Sequence, residues 1–514
     1  MPYVRTVRTA SGATAVQIVW SWHRGSRDIE HLGSAHGDAG VEALKAAARQ
    51  RLAAGQGELD LGLEPTELAR RGRGGGPLPI TATRMGCLLD ALSHAYAQLG
   101  FDRAARGDEV FRQLTLARII EPASKLDSLR VLDEAGVAAP SYRTLLRRLP
   151  AYAKDAWRQE ISAACAAHAR LGPASLVLYD VSTLYFEIGA GDGFRESGFS
   201  KERRLEPQIT IGLLTGQDGF PLMVSAFEGN KAETKTMLPV IEAFMAAHQL
   251  AGVTVVADAG MISEANQKDI EAAGLSFILG MKIPQAPYVV KQWRREHPGE
   301  DMPDRLILTQ PWPAGPRQER RDQVIYYQYR HDRARRTLRG IDEQVKKAEQ
   351  AIAGKAPVKR NRFIQLPGGT KGVNRELEAK ARALAGIKGY VTNLAACPDG
   401  TPITPEFVIG SYHQLYEIER SFRMSKHDLQ ARPIYHHLRD SIEAHLTIVF
   451  AALAVSRWIE HQTGWSIKRF VKTARRYRTV EIQAGPHVIT AADPLPGDLR
   501  QALDRIHGRE GGAH

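Results

Sequence analysis

Between residues 175 and 279 apolar residues gather in short, nearly unbroken runs separated by turn-forming and helix-capping residues. Ser175–Val181 reads as a buried strand, followed by β-prone Gln208–Thr215 and Phe220–Phe227, with a glycine-containing turn at Gly216–Gly219 between the last two. Thr234 then stands where a cap would open a helix to about His248. Val253–Ala257 is a buried strand, Ser263 caps a further helix, and Ser276–Leu279 is another strand. The order is βββαβαβ. Such an order predicts a meander that continues through parallel crossovers, with helices over the faces, which is the ribonuclease H-like arrangement of an α/β domain.

The flanks follow other patterns. Val4–Thr9, Thr14–Trp22 and Asp28–Gly33 form a short predicted meander, and Val41–Ala54 has helical spacing. The breaker cluster Arg70–Pro79 reads as a linker without the Gly-Lys-Ser/Thr ending of a phosphate-binding loop. Residues 1–80 are therefore expected to be a small N-terminal β/α unit. Residues 81–172 read as helical, with Ser124 and Ser141 as caps. The helices over 125–134 and 142–149 have a helix-turn-helix outline that two ordinary packed helices would also give. The charge-dense stretch 284–386 reads as an insertion. A strand at Tyr390–Asn393 and a helical region from Pro405 to Gly464, broken near Pro433, resume the core, so the main domain is expected over 173–283 and 387–464. A basic tail over 465–514 opens with a helix at Ser466–Arg478.

Composition narrows the class. The 514 residues are 43% apolar and 25% charged, enough to bury several cores, and 69 Lys and Arg against 57 Asp and Glu leave a net charge of +12. That surplus favours a polyanionic partner. Cys87, Cys165 and Cys397 are far apart and exclude a disulfide framework or thiolate zinc site, in keeping with a reducing cytoplasmic setting. The most apolar run, Leu446–Val455, is shorter than a bilayer requires, and no membrane partner is expected.

The chemistry is carried by carboxylates. Asp180 and Asp258 each close an apolar strand, and strand ends are where α/β sheets place their sites. Two such acids on one rim repel unless a cation lies between them or one is protonated, which points to a hard divalent metal held by oxygen. In Tyr412–Lys426, residues Tyr412, Glu419 and Lys426 are seven apart and would share one stripe of a continuous helix, flanked by Phe422 and Arg423. An amphipathic helix with solvated Glu and Lys would look the same.

Together these residues resemble the DDE transposases of bacterial insertion sequences, in the insertion-sequence-4-like group whose last acidic block reads Tyr-x2-Arg-x3-Glu-x6-Lys, and within it the insertion-sequence-1634-type branch. Asp180 in Leu-Tyr-Asp-Val-Ser-Thr-Leu and Asp258 in Val-Val-Ala-Asp-Ala-Gly-Met stand as the first two acidic blocks, and Tyr412, Glu419 and Lys426 fit the third. The resemblance spans about Ser175–Ala454, with diffuse similarity around Phe111–Leu132. It departs at Leu415, where the pattern has Arg, a charge that Arg420 or Arg423 would have to supply. The resemblance implies a transposase that binds terminal inverted repeats and target DNA, with the unit over 1–80 binding DNA and the helical segment over 81–172 recognising the ends, that cuts the ends and joins them, working as a homodimer when two ends are paired, in the cytoplasm at the nucleoid. It implies two Mg²⁺ or Mn²⁺ ions, with Asp180 bridging both, Asp258 and Glu419 each completing one, Lys426 on a phosphate, and Tyr412 on the terminal nucleotides. A nuclease of the same fold without strand transfer, or a silent DNA-binding derivative, would share most of these features.

Overall fold

The computed structural model describes residues 2–23, 26–53, 78–172, 175–186, 191–198, 206–232, 235–250, 252–258, 264–314, 322–355, 361–365, 372–432, 434, 438–484 and 487–509. Expected features at Arg70–Pro77, Thr234, Ser263 and Pro433 lie outside them.

The chain begins with an antiparallel meander, β1 (Tyr3–Arg8), β2 (Thr14–His23) and β3 (Ser26–Ala35), covered by α1 (Asp38–Ala53). Val16, Ile18 and Ala48 form the core between them. After β4 (Ile80–Arg84) come six helices, as expected of a helical segment: α2 (Gly86–Gln98), α3 (Phe101–Ala104), α4 (Glu109–Ile120), α5 (Asp127–Ala135), α6 (Tyr142–Tyr152) and α7 (Asp155–Ala169). Asp108 caps α4 through the Phe111 amide and also accepts from Tyr152 Oη at 2.9 Å, so one buried carboxylate joins two helices.

Next come β5 (Leu176–Tyr185), β6 (Gln208–Thr215), β7 (Pro221–Glu228), α8 (Met237–His248), β8 (Thr254–Ala257), α9 (Glu264–Ala272) and β9 (Ser276–Met281). The stretch 284–386 contains α10 (Tyr288–Glu296), β10 (Ile307–Trp312), β11 (Gln323–Tyr329), α11 (His331–Ile352), β12 (Ile364–Gln365), β13 (Gly372–Val373) and α12 (Arg375–Ala383). It is followed by β14 (Ile387–Thr392), α13 (Pro405–His413), α14 (Leu415–Arg423), a π-helical turn at Met424–Asp428 and α15 (Arg439–Thr463). The chain closes with α16 (Ile467–Ala474), the hairpin strands β15 (Thr479–Ala484) and β16 (His487–Ala492), and α17 (Gly497–Ile506).

Among the described residues, eight strands form one mixed sheet in the order β10-β11-β14-β9-β8-β5-β6-β7. The β5–β8 and β8–β9 pairs are parallel and the rest antiparallel. All eight residues of β6 are buried, as a strand covered on both faces requires. The stretch 284–386 is not a separate body beside this sheet, because β10 and β11 extend its edge through β14. Val324–Tyr327 supply the apolar run that makes β11 a sheet strand, and the surrounding Arg, Asp and Glu residues hide it in the sequence.

Helix α15 is long and apolar enough to cross a membrane by length and composition, but 94% of its most apolar window is buried inside the protein. It is a core helix. Glu443 on it pairs with Arg158 of α7 at 2.6 Å.

The chain divides into two compact units. One holds residues 1–95, 125–141 and 459–514, and the other residues 96–124 and 142–458. Pairing of β4 with β15 joins the segment that begins at residue 78 to the tail, so the tail is not a lone basic helix. Gly136 closes α5 at φ 82°, where a Cβ would meet the Thr83 carbonyl at 2.4 Å, so only glycine lets α5 end against β4. Helices α5 and α6 fall in different units, and the helix-turn-helix outline is therefore not one module.

Candidate active site

The site is set by strand register. In the parallel pair β5–β8, Leu178 lies opposite Val256, and in β8–β9 Val256 lies opposite Ile278. Continuing both registers by two residues brings Asp180, Asp258 and Gly280 to one level. Tyr390 of β14 is paired directly with Gly280, and Leu213 of β6 with Asp180. Because side chains alternate with period two, this row crosses one face of the sheet. The apolar residues of each strand fix its register and carry the carboxylate along: Asp258 follows the end of β8 as expected, whereas Asp180 does not close its strand but lies inside β5, which pairs with β6 as far as Tyr185.

Helices α13 and α14 cover that face, α13 against β8, β9 and β14 and α14 against β5. Tyr412 on α13 is 5% exposed and lays its ring over Gly280, where an added Cβ would lie 2.7 Å from the phenol oxygen. The ring meets Tyr390 edge-on at a centroid distance of 5.0 Å, and its hydroxyl donates to Asp258 Oδ1 at 2.5 Å. Burial first, then this hydrogen bond and the charges of Asp258 and Glu419, push the Tyr412 hydroxyl far above the ordinary phenol range. It stays protonated and acts as a donor. In this structure Tyr412 therefore orients a carboxylate, a role the sequence did not disclose.

Glu419 is exposed on α14. Its helix is anchored at the β6–β7 turn, where Ser421 Oγ donates to the Gly219 carbonyl at 2.7 Å, and Glu417 pairs with Arg457 of α15 at 2.8 Å. Arg457 also donates to the Asp218 carbonyl. Burial disfavours the charge of Glu417, but hydrogen bonds from Tyr416 and Arg457, with the charges of Arg457 and Arg420, hold its carboxyl below the usual range. Ile418 and Phe422 are buried toward the sheet. With residues 417, 418, 421 and 422 all engaged, the helix rotation is fixed and Glu419 is left on the outward side, still acting electrostatically on Tyr412 and Lys388.

The expected continuous helix from Tyr412 to Lys426 does not form. Gln414 interrupts it between α13 and α14, and Met424–Asp428 is π-helical. Bonds from i to i+5 widen the turn, so a seven-residue spacing no longer returns to the same face. Lys426 instead lines a largely apolar pocket with Ser182, Leu184, Phe422 and Phe450. Ser182 is two residues beyond Asp180 on the same face of β5, which keeps Lys426 beside the carboxylate row. Arg420 and Arg423 are exposed, and Arg420 lies 3.8 Å from Glu417.

An all-oxygen set of Asp180, Asp258 and Glu419 has the chemistry of a hard-cation site. Asp180 and Asp258 lie level on adjacent strands, and Glu419 acts electrostatically on Tyr412 and Lys388 as Asp258 does. The side chains are not drawn together, however, and among the described residues no three His, Cys, Asp or Glu residues stand close enough to hold a metal. Of the other acids near the sheet, Glu228 lies 3.7 Å from Lys231 and Asp192 pairs with Arg195 at 2.7 Å. His445 is buried and 3.2 Å from the Ala431 carbonyl, as a packed core histidine.

Residues 176–455 match the family model described as Transposase DDE domain. The match takes in more than half of the chain, which belongs to this family. The chain is accordingly a transposase of the DDE class, a class that cuts and transfers DNA and generally uses divalent metal ions. No curated protein matches it. Among solved structures it is similar to one titled "Cryo-EM structure of piggyBac transposase synaptic complex with hairpin DNA (SNHP)", at 11% identity and a TM-score of 0.39, over 76% of this chain and 78% of that one. That likeness is too distant to transfer residue roles.

Sequence reasoning missed Lys388, Gly280 and Arg457. Gly280 leaves a trace in the sequence as a glycine inside the apolar run Phe-Ile-Leu-Gly-Met, where close approach of another group is one reason for a missing side chain. Lys388 and Arg457 leave none, because they matter only through groups far away in sequence.

Proposed function

We propose that this transposase cuts and joins DNA at terminal inverted repeats, with Asp180, Asp258 and Glu419 as its reactive carboxylates. The observation that carries the reading is the single row in which strand register sets Asp180 level with Asp258, beneath a helix whose Tyr412 hydroxyl is bonded to Asp258. The fold reading that goes with it is a ribonuclease H-like catalytic sheet, supported by the strand order and by the family match.

These carboxylates would hold two divalent ions, Mg²⁺ or Mn²⁺, which when bound activate water or a 3′-hydroxyl and stabilise the leaving oxygen. The chain's own residues do the positioning. Tyr412 keeps Asp258 turned toward the rim through its 2.5 Å hydrogen bond, and the Ser421 and Arg457 anchors keep Glu419 facing outward. Lys426 offers a cation beside Ser182 for a phosphate, and Arg420 and Arg423 face solvent, where a DNA backbone could meet them. Pairing two ends calls for a homodimer on DNA.

The test is strand cleavage and joining on a duplex carrying the inverted repeat that flanks the gene. Wild type should cut in Mg²⁺ and join pre-cut ends to a plasmid, and D180N, D258N and E419Q should each lower cutting by about 10³-fold or more while DNA binding persists. Cutting without joining would identify a nuclease instead, and full activity in any of the three variants would remove that carboxylate from the site.

A further inference from the structure

We propose that Lys388 and Arg333 form an anion site that grips a backbone phosphate of the DNA strand entering the carboxylate row. The inference rests on the transposase reading and adds a binding site on the far side of Tyr412 from Asp180.

Lys388 lies in β14 two residues before Tyr390, so it is on the same face as the row. Its ammonium lies 4.2 Å from the centroid of the Tyr412 ring and 5.8 Å from that of Tyr390. Two aromatic faces form a platform that holds a cation by its charge and leaves its three N–H donors directed elsewhere. Among the described residues Lys388 has no carboxylate within ion-pair distance and no hydrogen-bond acceptor. Arg333 of α11 donates to two backbone carbonyls, those of Gln328 at 3.2 Å and Gly386 at 3.4 Å, and has no ion pair among the described residues.

The two cations also act on each other. Burial pushes the Lys388 ammonium down; the charges of Asp258 and Glu419 oppose that, and the charge of Arg333 adds to it. Arg333 likewise acts on Tyr390 and His413, which places it at the same aromatic platform. Two like charges on a half-buried surface, with no carboxylate within ion-pair distance of either among the described residues, cost free energy that an external anion recovers. The ring of Tyr412, with Asp258 on its hydroxyl and Lys388 over its face, sets the distance from this anion site to the carboxylates. A phosphodiester held by Lys388 and Arg333 would therefore run toward Asp258 along the same face. The class of ligand is a phosphodiester, because the strand that reaches the carboxylates presents one such anion per nucleotide.

The test compares wild type with K388Q, R333Q and the conservative K388R. Binding of a fluorescent random-sequence duplex in Ca²⁺ is titrated at several salt concentrations. Plasmid nicking is then followed across a range of Mn²⁺ concentrations. Loss of one phosphate contact should lower the slope of log K against log salt by about one in K388Q, with K388R close to wild type. At saturating DNA and metal, nicking by K388Q should fall on the order of a hundredfold, with the Mn²⁺ midpoint unchanged. If Lys388 merely offsets the charges of Asp258 and Glu419, K388Q would instead bind Mn²⁺ more tightly and nick at the wild-type rate once saturated, and that result, or an unchanged salt slope, overturns the proposal. A wild-type chain that binds DNA but never nicks it would defeat the transposase reading, while the salt slope would still decide the anion site. A chain that binds no duplex would end both.

Discussion

Replacing Gly280 with alanine sets a methyl group where the Tyr412 ring already lies. The new Cβ would stand 2.7 Å from the phenol oxygen, 2.9 Å from Cε2 and 3.0 Å from Cζ. Carbon atoms pack comfortably at roughly 3.5–4.0 Å, so the ring must retreat by about 0.7 Å. It has little room to do so, with Tyr390 at its edge and Lys388 over its face. Overpacking of this kind costs about 1–3 kcal/mol. The retreat also lengthens the Tyr412–Asp258 hydrogen bond, and misplacement approaching 1 Å at a reacting centre can cost about 10²-fold in rate. Urea unfolding of G280A, Y412A and the double variant gives the energy, and metal-dependent cleavage gives the functional consequence. In the Y412A background the alanine should cost almost nothing, so the cycle should show a coupling of about 1–2 kcal/mol. Equal destabilisation by G280A with and without the Tyr412 ring would mean that the ring does not fill the glycine notch, and the proposed alignment of Asp258 would lose its basis.

Two further outcomes concern the framework behind the site. Arg158 is 9% and Glu443 14% exposed in their 2.6 Å pair, so E443A leaves a buried guanidinium uncompensated and should cost about 3–5 kcal/mol in urea unfolding, against a much smaller loss when both are replaced by apolar residues. Glu417 has its pKa lowered in the fold from an ordinary 4.5, so its contribution to stability is complete above that value and is lost as the pH falls through the lower folded value. The stability gap between wild type and R457M should therefore be widest near neutral pH and narrow in acid; a gap that stays constant with pH would show that Arg457 acts through its carbonyl contact with Asp218 alone.

The strands of the main sheet were readable because their apolar runs are long enough to be buried on both faces. The expected strand at Gln208–Thr215 has the same bounds in the structure, and Ser276–Leu279 extends only to Met281. Strand β11 was hidden, because its short apolar run Val324–Tyr327 is flanked by Gln and sits within a charged neighbourhood, and only pairing with β14 makes it interior. The tail hairpin β15–β16 was hidden for the same reason, since its residues are half-buried and β4, its partner, lies some four hundred positions earlier. The helix carrying Glu419 was visible, but its seven-residue stripe was not what the backbone does. A π turn displaces Lys426 into the pocket beside Ser182, and no local signal in Met-Ser-Lys-His-Asp announces that turn.

The sequence alone determined that Asp180 and Asp258 adjoin buried apolar runs, but the structure decided that Asp258 follows the end of β8 while Asp180 lies inside β5, because pairing with β6 extends that strand to Tyr185. It also determined the family resemblance, through acids and spacings written in the chain itself. Tertiary structure decided which groups meet them. That Tyr412 bonds Asp258 over Gly280, that Arg457 locks the rotation of the Glu419 helix, and that Lys388 and Arg333 share an aromatic platform all depend on through-space distances of a few ångströms between segments tens to hundreds of residues apart. Hydrophobic periodicity fixes faces and registers; it holds no information about which distant side chain will arrive on the face it has fixed.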